Sequence, residues 1–449
     1  MKNKKFNHMK IYVVVLLTLL AGCGNRDKYQ DVFVAENYID PSLMTETVTV
    51  CNDVVLRNYN GFCFDGRYII KNNTLDINLK QKKHERKAKL IYKLYKKNNV
   101  IALVIDNNNI YYCDKHNKLV CIDKNTYKKQ WSLDILKTKE DCAVWLSSDF
   151  SRNTIIAVSD KGHIVNIDTQ NKKVKWTKEI DVPLHGSAAI VDNKVIVYRG
   201  DNAISAYFIN CGKHAWSFDK LSSDMIFSNS GNFDYSEKKL LCTYSTGECS
   251  LVNTDQGEEY WSNTVISRKA ESAIDLYGVM TAKPIIHNNR AIVSNARGNT
   301  TAFDLETGLP IWTNNVGAQR NMCMCNKWVF AIDNENNLVC MSATTGKIKY
   351  KTNVHQELLK NTQLMQRNQK YYVQNSSQSD IKLSNPLIVN GKIMVADGIG
   401  SLLFFNTNNG KLENVVTYTS LTDFVPVNVF IEDKTVYILS NDARLYVVK

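Results

Sequence analysis

Twelve Cys and eight His are the residues most able to do chemistry in this chain. The His are scattered, and neither His-Glu-x-x-His nor Cys-x-x-Cys occurs, so the spacing a zinc site needs is missing. There is no Gly-x-Ser-x-Gly to place a serine nucleophile, and Gly398-x-Gly400 is too small a fragment to cradle a nucleotide phosphate. Cys323-Met324-Cys325 brings two thiols close in sequence without making them adjacent. With hairpin turns at His116-Asn117 and Thr246-Gly247, Cys113 faces Val120 and Cys249 faces Tyr244. Neither Cys113/Cys121 nor Cys242/Cys249 then lies in direct cross-strand register, and buried free thiols are expected there. Cys51 and Cys63 form the pair to examine for a bridge.

One cysteine has a context for covalent modification. Lys2, Lys4, Lys5 and Lys10 precede an apolar run from Ile11 to Leu20, interrupted only by Thr18. That run is a signal-peptide core, too short to span a bilayer. It ends in Leu20-Ala21-Gly22-Cys23, which resembles the bacterial lipobox, whose Cys is lipidated before cleavage. An ordinary secretory signal with a chance Cys is the alternative. The lipobox resemblance implies a signal peptide over 1–22 and a mature chain anchored by palmitate-type acylation at Cys23. Gly24 in place of Asp favours the outer membrane, periplasmic face. Removing 1–22 takes four Lys from the net charge of +12 and leaves +8. The stretch 80–97 carries that excess alone, with nine Lys or Arg against one Glu. It reads either as a patch for anionic lipid or an acidic partner, or as a solvated lead-in to the first strand. Charge this localised is no nucleic-acid signature.

The remaining 23–87 reads as a leader, and 88–449 as one repeat-built domain. The clearest copy runs Gly298-Asn-Thr-Thr-Ala-Phe-Asp304-Leu-Glu-Thr-Gly308-Leu-Pro-Ile-Trp312. Positions equivalent to Asp304 are Asp123, Asp168, Phe208, Asn253, Ser342 and Asn406. Eight residues beyond each reference stand Trp131, Trp176, Trp216, Trp261, Trp312, Tyr350 and Asn414. Four beyond stand Tyr127, Lys172, Gly212, Gly257, Gly308, Gly346 and Gly410. Six before, every residue is Gly or Asn, the types that tolerate positive φ.

β-rich runs flank each Gly or Asn, as in Ile110-Tyr111-Tyr112 and Leu119-Val120-Cys121-Ile122. Two strands around such a residue make a hairpin, and Asp-x-x-x-Gly makes a second turn before the Trp-bearing strand. A further apolar run between copies, such as Pro284-Ile285-Ile286, supplies a fourth strand. Successive aromatic positions lie 45, 40, 45, 51 and 38 residues apart, the period of a propeller blade. The next step, 64, contains a Gln/Asn/Ser-rich stretch over 355–385, read as a long loop. Val448 reaches the reference position of an eighth copy and lacks its Trp strand; Ala88 to Tyr95 has the pattern to supply it. The expected fold is all-β: an eight-bladed propeller of four-stranded blades, closed by an N-terminal strand, with seven blades and an irregular end as the other possibility.

Ala302, Asp304, Gly308 and Trp312 resemble the PQQ-type propeller repeat. Two groups use it. Quinoprotein alcohol dehydrogenases are longer and carry an adjacent Cys-Cys pair that is absent here, as is a recognisable Ca²⁺ constellation. The BamB family of outer-membrane assembly lipoproteins is the closer resemblance, through the lipobox, the single propeller and Ala270-Glu-Ser-Ala-Ile-Asp-Leu276 before Pro284-Ile-Ile286. That resemblance implies a scaffold, not an enzyme, with no cofactor and no metal. Its partners would be a BamA-like barrel-assembly protein, other subunits of that machinery and unfolded outer-membrane proteins. In the family, loops near the third and fourth blades hold BamA through an apolar patch with an Arg and two nearby acids. The corresponding stretch is Met225-Ile226-Phe227-Ser228, apolar but without the Arg, and no acid stands at 279–281. A propeller binding another envelope partner, or a PQQ-dependent dehydrogenase, remains as an alternative.

Overall fold

The structure is a computed structural model. It describes residues 103–136, 143–220, 232–265, 280–360 and 383–417, apart from 115–116, 281, 297 and 399. Beyond these it describes the strands 426–432, 435–440 and 444–448, and, near the N-terminus, 33–35, Leu43, 59–60, 62–63 and 89–93.

Eight sheets follow one another along the chain, the first seven each built on a four-stranded antiparallel meander. Sheet one comprises Leu103–Ile105, Asn109–Cys113, Lys118–Asp123 and Lys129–Asp134. Sheets two to seven occupy 143–179, 184–218, 232–264, 285–314, 323–353 and 387–417 in the same order of strands. The eighth consists of Pro426–Glu432, Thr435–Ser440 and Arg444–Val448. Its remaining place is taken by Lys89–Lys93, antiparallel to Arg444–Val448 with Arg444 opposite Lys93.

The alternation in the sequence explains the layering. Middle strands such as Thr154–Ser159 and Asn337–Ser342 are buried at every position, because they are covered on both faces. Fourth strands such as Lys173–Glu179 alternate exposed and half-buried residues. Apolar clusters lie between neighbouring sheets. Leu103, Ile110, Ile155, Val165 and Tyr437 tie sheets eight, one and two, while Ile190, Ile196 and Leu240 lie in the clusters joining sheets two, three and four.

Three features differ from the sequence expectation. The hairpin turns are one residue longer than drawn, so Cys113 lies opposite Leu119 and Cys249 opposite Thr243. The cause is the αL residue: Asn117 at φ 57° and Gly247 at φ 83° make three-residue loops. All eight described cysteines other than Cys63 are free thiols. The stretch read as a long loop opens with a helix, Val354–Lys360, whose Val354 and Leu358 are fully buried; 361–382 lies outside the described residues. Finally, part of the leader pairs with the sheets. Phe33–Ala35 adds a parallel strand to Pro310–Asn314, and Phe62 pairs with Leu146.

Candidate interaction face

A meander with an odd number of turns has two unlike ends. The first–second and third–fourth turns of every sheet lie at one end, here the turn face. The second–third hairpin and the connector to the next sheet lie at the other, the connector face.

The Asp-x-x-x-Gly segments lie on the turn face. Asp304 Oδ1 accepts the backbone N–H groups of Glu306 (3.1 Å) and Thr307 (2.8 Å) and the Thr307 hydroxyl (3.0 Å). Asp123 and Asp168 accept from Thr126 and Asn171 in the same way. These bonds, the backbone N–H of Thr307 first, hold the Asp304 carboxyl below the usual carboxylate range. The residue four places on has positive φ in all seven copies, including Tyr127 (58°) and Lys172 (55°).

That turn is the seat for the preceding sheet's aromatic residue. A Cβ added to Gly346 would stand 2.5 Å from Trp312 Cε3, and one on Gly257 would stand 2.6 Å from Trp216 Cε3. The indole N–H of Trp176, Trp216, Trp261 and Trp312 donates to the carbonyls of Ile209, Thr254, Leu305 and Ala343, at 2.7 to 3.0 Å. Each acceptor follows the reference position of the next sheet. Tyr350 lies against Gly410, and Trp131 against Tyr111 with centroids 5.9 Å apart. From sheet two to sheet seven, Gly and the aromatic residue of the repeat thereby join one sheet to the next, while Asp shapes the turn that seats the ring.

The connector face has polar residues of its own. Asp114, Asp333 and Asp397 each accept the backbone N–H four residues on, at 2.8 to 3.0 Å. Asn295 and Ser159 do the same. Between sheets four and five, Lys283 Nζ lies 2.9 Å from Asp234 Oδ1, both side chains almost fully buried. Asp234 Oδ2 also accepts from the N–H of Ile286. Arg320, on the connector from sheet five to six, has its pKa lowered by burial. Sequence reasoning singled out neither the Lys283–Asp234 pair nor Arg320. A lysine inside the apolar run Ala282-Lys-Pro-Ile-Ile286 was the available signal for the first; nothing marks the second.

Met225, Ile226, Phe227 and Ser228 lie outside the described residues, as does Cys23. The flanks of 221–231 are fixed, however. The chain leaves sheet three past Lys220, whose Nζ reaches Ser262 Oγ (2.8 Å) and Glu259 (3.3 Å) of sheet four. It re-enters at Asn232, whose N–H is 3.3 Å from Thr243 Oγ1. Both ends belong to the connector face. No set of three or more His, Cys, Asp or Glu among them is placed to hold a metal. Burial pushes the Cys121 and Cys249 thiols up to about 12, so they are protonated and poor nucleophiles at neutral pH.

The repeat and its sheet-to-sheet packing define the chain as an all-β propeller. Within that class, the family model for the outer membrane protein assembly factor BamB matches residues 115–352, more than half of the chain. This chain belongs to that family. The Shewanella oneidensis BamB is 18% identical over 298 residues, covering 66% of this chain and 69% of the relative. The Legionella pneumophila BamB is 23% identical over 206 residues, 46% of this chain and 47% of the relative. Among solved structures, Moraxella catarrhalis BamB superposes with a TM-score of 0.62 at 15% identity, covering 79% of this chain and 97% of its own. The quinohemoprotein alcohol dehydrogenase of Comamonas testosteroni shares the fold at a TM-score of 0.54 and 10% identity, covering 79% and 75%.

Proposed function

We propose that this chain is a non-catalytic, lipid-anchored scaffold of the outer-membrane β-barrel assembly machinery, held at Cys23 and facing the periplasm. It would bind the periplasmic domains of a BamA-like protein and aid insertion of outer-membrane proteins. The observation that carries the reading is the family match over 115–352, which spans the repeats. The use of the repeat's Gly and Trp in sheet-to-sheet packing, with Asp shaping the turn between, supports it, since it leaves recognition to the connectors. We read the eight sheets as eight blades, the last completed by Lys89–Lys93.

In this reading Met225 to Ser228 dock on the partner. The stretch keeps its apolar side chains and lacks an Arg, so contact there rests on burial rather than charge. Affinity capture of the native protein from detergent-solubilised envelopes should recover the barrel-assembly core. Met225→Ala with Phe227→Ala should lower that recovery at least tenfold, two buried apolar truncations costing about 1.5 kcal/mol or more. Undiminished recovery with the double variant would move the contact elsewhere on the connector face. Absence of the core from the wild-type sample would sink the scaffold reading. Redox activity after reconstitution with PQQ and Ca²⁺ would establish the dehydrogenase reading instead.

A further inference from the structure

The outer edges of the sheets are protected unequally. The fourth strands of sheets one, two and four carry Lys129 and Asp134, Lys173 to Glu179, and Glu259, charges that blunt an edge against pairing. Pro310–Asn314 of sheet five has no charged residue at all. None of its residues is exposed, and Trp312 and Asn314 are fully buried. The leader covers it: Phe33 lies opposite Trp312, Val34 opposite Thr313 and Ala35 opposite Asn314, in parallel. Farther along, the Leu43 carbonyl accepts from Lys349 Nζ on the fourth strand of sheet six, whose side chain is buried over the Trp328 ring, 5.2 Å from its centroid.

Parallel pairing gives this contact a direction. Pro310–Asn314 begins beside the turn at Asp304–Gly308 and ends opposite Thr300, next to the hairpin on the connector face. The leader strand therefore runs from the turn face toward the connector face. The N-terminal end of Phe33–Ala35 thus lies at the turn-face end of the rim of sheet five. Phe33 lies ten residues beyond Cys23, a span of at most about 35 Å fully extended.

We infer that Phe33–Ala35 is a strap that orients the propeller on the lipid surface, with the turn face of sheets five and six toward the bilayer and the connector face toward the periplasm. This rests on lipidation at Cys23, the anchor of the proposed function. It follows that the connector carrying Met225 to Ser228 is presented to soluble domains, and that an apolar, uncharged edge is shielded by the chain's own leader rather than left open for a foreign strand. A short tether alone would hold the protein near the membrane without choosing a face; the parallel strand makes the choice.

The test uses the full-length, acylated protein in vesicles of phosphatidylethanolamine and phosphatidylglycerol with an acceptor dye on the headgroup. A fluorescent amino acid replaces exposed Leu309 on the turn face or exposed Glu335 on the connector face. Energy transfer should be greater from position 309. Val34→Pro, which removes a backbone N–H and restrains the strand, should erase the difference while far-ultraviolet circular dichroism stays unchanged. A Val34→Cys/Thr313→Cys variant should form the 34–313 disulfide on mild oxidation, read by peptide mass mapping. Equal transfer from the two positions in vesicle-bound wild type, or absence of that disulfide, overturns the strap. Protein that fails to float with the vesicles, with Cys23 unmodified by mass, overturns the anchor itself, a distinct failure.

Discussion

Gly346 shows how narrowly a single repeat position is constrained. Its φ of 71° lies in the left-handed region, and the Trp312 ring occupies the space a side chain would need. Gly346→Ala incurs backbone strain of about 1–3 kcal/mol and must also displace a buried indole. Chemical denaturation should therefore show a loss of about 2 kcal/mol or more, and a loss below about 0.5 kcal/mol would mean that the ring has room to retreat. Lys172 occupies the same conformation with a side chain, at φ 55°, which shows that the turn itself accepts a Cβ when the seated ring allows it. Asp304 is constrained electrostatically. Hydrogen bonding lowers its folded pKa, so its contribution is complete above the ordinary carboxylate value of about 3.9 and is lost as pH falls through the lower folded value. Asn253 and Asn406 hold equivalent turns with a neutral amide oxygen. Asp304→Asn should thus keep stability near that of wild type at pH 7 and flatten the acid limb of the stability–pH curve. An unchanged acid limb would assign the loss to other carboxylates.

At the scale of the element, most of what the sequence revealed came from repetition. Gly or Asn before each reference position and Trp after it marked two turns and a strand, and the structure has them where the spacing put them, from Asn117 to Gly410. The hairpin register at Cys113 was missed because a three-residue loop and a two-residue loop have the same residue types, and one position of slip exchanges the opposite partner. The helix Val354–Lys360 was missed because a seven-residue helix holds too few turns to show a period within a polar stretch. The Lys283–Asp234 pair lies 49 residues apart in sequence and could be found only once the entry to sheet five was packed on sheet four. Removing its cation leaves Asp234 with an uncompensated buried charge. Lys283→Met should cost about 3–5 kcal/mol in denaturant unfolding, and Lys283→Met with Asp234→Leu should recover most of it. Equal losses in the single and double variants would show that the lysine acts through packing alone.

On the scale of the whole molecule, the residues most remote in sequence meet. Tyr437 of sheet eight packs in one cluster with Leu103 and Ile110 of sheet one, so the last sheet is the neighbour of the first. Lys89–Lys93 pairs with Arg444–Val448 and thereby links the two ends of the repeat array by backbone hydrogen bonds. In the eight-bladed reading proposed above the ring has no terminal sheet, and an opening between sheets eight and one would expose residues such as Tyr437 and Leu103. The closing strand should therefore govern the stability of the assembly out of proportion to its five residues. Leu90→Pro and Tyr92→Pro each fix the backbone within the paired register, opposite Tyr446 and Leu445. Either variant should lower the thermal midpoint of the entire propeller by several degrees, the shift expected for about 3 kcal/mol in a chain of this size, with light scattering rising before the midpoint. Proline at Leu412, first in an outer strand away from the seam, serves as the comparison and should shift the midpoint less. A smaller shift at the seam than at 412 would mean that the clusters between sheets eight and one hold the ring shut without the strand. The array would then behave as a stack of independently stable neighbours rather than as a circle that depends on its join.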